Sequence, residues 1–196
     1  MNTDFQNSLK QLTFKTIYHD QLTTVDYDRL FADQRVIVLS IPVLYFFESH
    51  TQMSQYKEEY ENFTSNKIDA IYAISSFNPM IAAWADSNYK SSIIGLPDKD
   101  QTFVSALAAE TKSTKSIDFL AKRWEYVSII NNGNLEKLWQ NSFPEHQTLR
   151  QYRYGYREYH KWELHGKVQD LGTLHYRKLG PATVLDYLRN SVDNSN

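Results

Sequence analysis

The chain contains no cysteine among its 196 residues. No disulfide, thiolate metal site, CxxC redox pair or nucleophilic thiol can be assembled from it, so all thiol chemistry is excluded for this chain. Glycine and proline are scarce, at 6 and 5 residues, and neither a Gly-rich phosphate loop nor a repeated unit is present. No apolar run approaches membrane-spanning length, and the start, MNTDFQNSLKQL, lacks a basic stretch followed by an apolar core. With a net charge of -2 and a pI near 6.3, nothing draws the whole chain toward nucleic acid or an anionic membrane. These absences predict a cytoplasmic protein without membrane contact and without a cofactor.

What is present is a large apolar and aromatic complement, 41% and 14% of residues. That suffices for one domain spanning 1–196 with a sizeable core. The chain is organised around Arg35 to Phe63. Val36 to Ile41 is apolar but for Ser40 and reads as a strand buried on both faces; Pro42 and the aromatic knot Tyr45, Phe46 and Phe47 follow. Beyond Glu48, Ser49 and His50, the residues Met53, Tyr56, Tyr60 and Phe63 recur at three- and four-residue steps, which predicts one amphipathic helix.

Around this centre, Leu12 to Tyr18 and Thr23 to Val25 predict a hairpin, and Asp28 to Phe31 a single helical turn. Asp69 to Ser75 reads as a second buried strand. Asn78-Pro79 predicts a capped helix opened by proline, carrying Met80, Ile81, Ala83 and Trp84. Ile93 to Leu96, the turn at Pro97-Asp98 and a helix through Phe103 and Leu107 come next. Lys122 to Ile130 and Leu135 to Trp139, joined by Asn132-Gly133, predict a hairpin with a type I′ turn. Pro181 opens the last helix, through Val184, Leu185 and Leu188.

The order of these elements, and the loop Pro42-Val43-Leu44-Tyr45-Phe46-Phe47-Glu48-Ser49 above all, resembles the type II peroxiredoxins, the thioredoxin-fold peroxidases that sometimes carry a fused glutaredoxin. That family writes Pro-Gly-Ala-Phe-Thr-Pro-Thr-Cys at this place. The resemblance runs from about Leu12 to Arg189 and implies a three-layer α/β/α thioredoxin-like fold with a mixed central sheet. It also implies a site built from Pro42, Phe46 in place of the catalytic Thr, Ser49 in place of the reactive Cys, and Glu125 in place of a supporting Arg. A one-residue gap would bring Arg123 to that last position instead. A serine hydroxyl is not ionised at neutral pH without a strong base and has no route to a sulfenic acid, so Ser49 cannot replace the thiolate.

The resemblance is interrupted by an insertion of about 143–179, expected to be β-hairpin-like and to precede the last helix. Within it Tyr152, Tyr154 and Tyr156 alternate with Arg153, Gly155 and Arg157, and Tyr159 and Trp162 follow. From 145 to 180 seven basic residues stand against four acidic ones, an excess of +3 that leaves -5 on the remainder. Tyr, Trp and Arg are the residue types enriched at binding hot spots, so Tyr152, Arg153, Tyr154, Tyr156, Arg157, Tyr159 and Trp162 are the candidate partner contacts. The plainer alternative is that these rings pack the insertion onto its own domain. Single-stranded nucleic acid is the weaker fit, given so modest an excess of charge.

Two apparent signals carry less. Glu48-Ser49-His50 is written like a hydrolase triad, but consecutive helical residues splay about 100° apart and cannot bond in a chain; a distant base such as His146 has no support in spacing. His160 and His165 with Glu158 and Glu163 lack metal-ligand spacing, so no metal is expected. The expectation is therefore a catalytically inactive peroxiredoxin-like protein that serves as a structural or protein-binding subunit, with a protein partner or its own copies. Two alternatives are a component of a large assembly such as a virus particle, and an enzyme using non-thiol chemistry in the old pocket.

Overall fold

A computed structural model describes residues 3–41, 47–75, 80–110, 126–140 and 180–193. The chain divides into two units, Met1–Asn141 with Leu179–Asn196, and Ser142–Lys178. Every described residue belongs to the first unit, so the insertion expected over about 143–179 lies outside the description.

In chain order the elements are α1 (Thr3–Lys10), β1 (Thr13–Tyr18), β2 (Gln21–Asp26), a π turn (Asp28–Ala32), β3 (Arg35–Ser40), α2 (Phe47–Glu58), α3 (Tyr60–Ser65) and β4 (Ala70–Ser75). There follow α4 (Ile81–Tyr89), β5 (Ile94–Pro97), α5 (Thr102–Glu110), β6 (Tyr126–Asn131), β7 (Asn134–Gln140) and α6 (Pro181–Asp193). Five strands form one mixed sheet in the order β5-β4-β3-β6-β7. Strand β3 runs parallel to β4 and antiparallel to β6, with Val38 opposite Tyr72 on one side and Ser128 on the other.

Strand alternation divides the interior into two cores, one on each face of the sheet. Ile37, Leu39, Ile71, Ala73, Val127 and Ile129 face a core completed by Met53 and Tyr56 of α2, Phe63 of α3, Ile81 and Ala85 of α4, and Val184 and Leu188 of α6. Val36, Val38, Tyr72, Ile74, Tyr126 and Ile130 face the other, completed by Phe5 and Leu9 of α1, Leu30 and Phe31 of the π turn, and Phe103 and Leu107 of α5. Helices thus cover both faces of the mixed sheet, and β3, buried throughout its apolar run, is its centre as its composition predicts.

The first hairpin pairs Thr13 with Asp26 and Tyr18 with Gln21, and the two residues between, His19 and Asp20, both take positive φ. The second turns at Asn132 and Gly133, φ 49° and 72°, the type I′ geometry that this dipeptide favours. Its base is tied to β3 by a carboxylate fork. Arg35 Nε donates to Glu136 at 2.9 Å, its second nitrogen donates to the other oxygen, and Asn131 Nδ2 donates to Glu136 at 3.0 Å.

Two expectations are corrected. The single helix expected through Phe63 is two, α2 and α3, separated at Glu59 (φ -92°, ψ 8°); the break lets the rings of Tyr56 and Phe63 stack at 5.5 Å, both fully buried. Helix α4 begins at Ile81 with Met80 as its N-cap, whereas Met80 was expected within the helix; Asn78 and Pro79 lie outside the described residues. The single helical turn expected after β2 is present, as a π turn with Leu30 and Phe31 both buried.

Burial leaves a pH signature. The phenol of Tyr126 is pushed up to about 12 by desolvation, and burial raises those of Tyr56 and Tyr72 still further. A raised phenol keeps its proton in the folded state while the unfolded chain loses it above the ordinary value of 10.0, so stability is full below pH 10 and falls as pH rises toward 12. Alkaline titration is expected to show these tyrosinates appearing together with loss of circular dichroism, rather than before it.

Candidate functional site

The carboxyl end of β3 delivers the chain to the entrance of α2. Ile41 N donates to Ile74 O at 2.7 Å, so the β3–β4 pairing continues one residue past the strand. Residues 42–46 lie outside the description, and α2 begins at Phe47 with Ser49 as its third residue. Ser49, the residue that the resemblance sets in the place of the reactive Cys, thus lies in the first turn of a helix that follows the central strand. The backbone amides of such a turn favour an anion, which is how a helix start helps hold a thiolate. A serine hydroxyl at such a place is not ionised at neutral pH and has no sulfenic acid form.

Pro42, Phe46, Glu125 and Arg123 lie outside the described residues, as do His146, His160 and His165. So do the candidate contacts Tyr152, Arg153, Tyr154, Tyr156, Arg157, Tyr159 and Trp162. Among the described residues no group of three or more His, Asp or Glu side chains is placed to hold a metal ion, and no helix is long and apolar enough to cross a membrane.

Next to Ser49 the structure assembles a polar and aromatic cluster that the sequence did not reveal. His50 Nδ1 lies 3.0 Å from the hydroxyl of Tyr89, at the end of α4, and 3.2 Å from Ser54 Oγ one turn further along α2. The Tyr89 hydroxyl also donates to the His50 carbonyl at 3.4 Å. Trp84 meets both rings edge-on, with centroids 5.5 Å from His50 and 5.4 Å from Tyr89. Burial raises the Tyr89 phenol, and its bond to Ser54 partly offsets this. With Nδ1 turned to Tyr89 and Ser54, His50 is part of the α2–α4 packing rather than the middle member of a Glu48-Ser49-His50 triad. Only the four-residue step from His50 to Ser54 was visible in sequence; the 39 residues between His50 and Tyr89 leave no periodic trace.

No family model matches the chain. A curated relative, the hybrid peroxiredoxin hyPrx5 of Haemophilus influenzae, is 25% identical over 130 residues, covering 65% of this chain and 54% of the relative. The chain thus spans about half the length of the relative it matches. Among solved structures, reduced Prx3 of Vibrio vulnificus in complex with H2O2 superposes with a TM-score of 0.54 at 19% identity, covering 75% of this chain and 94% of that one. Peroxiredoxin 5 of Alvinella pompejana gives 0.51 at 18% identity, covering 66% and 83%. The mixed five-stranded sheet with its helices is accordingly the thioredoxin-like α/β fold seen in peroxiredoxins. In sequence the chain is similar to that curated relative and in fold to the peroxiredoxins, and it carries no cysteine.

Proposed function

We propose that this chain is a catalytically inactive peroxiredoxin-like protein, kept as a binding or structural subunit that docks a protein partner through its Tyr/Arg-rich insertion. The observation that carries this reading is Ser49 in the first turn of α2 in a chain without cysteine. The step that defines the relatives' chemistry needs a thiolate, both as nucleophile and as the atom oxidised when the peroxide O–O bond breaks. No thiol is present to supply that electron pair and then carry the oxygen as a sulfenic acid. The scaffold nevertheless keeps its buried sheet and both cores, which fits a fold retained for its surface.

The new surface belongs to the insertion. Tyr152, Arg153, Tyr154, Tyr156, Arg157, Tyr159 and Trp162 are of the types that anchor protein interfaces, and the excess of +3 there against -5 elsewhere favours an acidic partner patch or a second copy of the chain. The same reading takes the chain as cytoplasmic, or as part of a large assembly. Affinity purification from native extract, with light scattering to fix the size of the complex, tests it. Tyr154→Ala with Arg157→Ala is expected to weaken association by about tenfold or more, since hot-spot truncations cost roughly 2 kcal/mol each. Unchanged association in the double variant would remove the insertion from the account.

A further inference from the structure

We propose that the carboxyl end of α4 is a latch, held by α2 against the preference of its own backbone. Lys90 follows Tyr89 with φ 50° and ψ -134°. These are the angles of the first central residue in a type II′ turn, a place that glycine takes readily and a residue bearing a Cβ takes at the cost of strain. Such a conformation persists only where surrounding contacts impose it, and here α2 supplies the polar side-chain contacts, beside the packing of Trp84 on Tyr89 within α4.

Helix α2 holds the two residues that precede Lys90. Lys57 Nζ donates to the carbonyl of Asn88 at 3.4 Å and stands 5.9 Å from the centre of the Tyr89 ring. His50 meets the Tyr89 hydroxyl with its ring nitrogen and its carbonyl, at 3.0 and 3.4 Å. The Lys90 amide closes the helix end by donating to Asp86 O. Bonds from α2 to the Tyr89 hydroxyl and to the carbonyl just before Tyr89 therefore restrain the residue that leads into the strained Lys90.

The parts that hold the latch are accessible while the part they hold is not. His50 and Lys57 are exposed, whereas Tyr89 is buried. A partner carboxylate that takes the Lys57 ammonium competes directly with the Asn88 carbonyl, and the strain at Lys90 then favours release. Opening brings the Tyr89 ring to the surface beside Trp84 and the entrance of α2. Occupation of the exposed face of α2 is thus coupled to exposure of a new aromatic surface, through a short segment with two arrangements. This inference does not depend on the insertion.

Amide hydrogen exchange on the intact chain tests it. In the double variant His50→Ala with Lys57→Ala, the Lys90 amide is expected to exchange about tenfold faster or more, with β3 and β4 amides unchanged. Adding Lys90→Gly to that background is expected to restore protection, because glycine holds the turn without help from α2. Unchanged exchange at Lys90 in the double variant overturns the latch. So does acceleration spread equally over β3 and β4, or a failure of Lys90→Gly to restore protection.

Discussion

Gly95→Ala is expected to destabilise the domain by about 3 to 5 kcal/mol, enough to leave much of the chain unfolded at ordinary temperature. Gly95 lies in β5, and a Cβ built there collides with the Ile81 carbonyl oxygen, stands 2.6 Å from the Ile81 carbonyl carbon and 3.0 Å from Ala82 Cα. All three are backbone atoms of the first turn of α4, so no side chain can rotate away. Relief requires moving the helix off the sheet. That movement would also break the bond that Thr16 Oγ1 donates to the Gly95 carbonyl at 2.5 Å, which fastens the first hairpin to the sheet. Gly180→Ala is the control, since a Cβ there meets nothing within 4 Å among the described residues, and its denaturation midpoint should barely move. Urea denaturation of the two variants compares them directly.

Glu136→Ala is expected to cost about 3 kcal/mol, because it leaves a largely buried guanidinium without its counter-ion. The Arg35 and Glu136 side chains are only 16% and 19% exposed. The same deletion strips the Asn131 amide of its acceptor. The loss should lie in the unmatched charge more than in the pair itself. Arg35→Met with Glu136→Leu is therefore expected to be more stable than Glu136→Ala alone, a comparison that a double-mutant cycle measures. If the double replacement proves the less stable, the fork contributes more than its desolvation costs and the reasoning fails.

The legible parts of the fold were those written locally. Val36 to Ile41, short, β-branched and ended by Pro42, read as a fully buried strand, and Asn132-Gly133 between apolar runs pointed to the second hairpin through its backbone angles. The helix entrance holding Ser49 was placed by resemblance, and the structure puts that residue in the first turn of α2. What escaped was tertiary. The polar run Lys57-Glu58-Glu59 gives no sign that the helix breaks there, because the break answers to the stacking of Tyr56 on Phe63. The approach of Tyr89 to His50, and the Lys90 turn beside it, arise from packing of α4 on α2 and have no sequence period to announce them. Met80 was expected within α4, whereas the helix begins at Ile81, the residue whose carbonyl Gly95 accommodates.

Under the proposed function, these elements would let the fold stand without the reaction. The thiol of a peroxide-reducing site contributes little to packing, while β3, the two cores and the close contact at Gly95 hold the domain together. On the proposed reading, the absence of cysteine removes the thiol chemistry and the scaffold serves for binding. The most direct measurement is peroxide consumption by the purified chain, supplied in turn with thioredoxin, glutaredoxin and glutathione as reductant. The account predicts a rate equal to that of the reductants alone; sustained turnover that scales with the amount of this chain would contradict it.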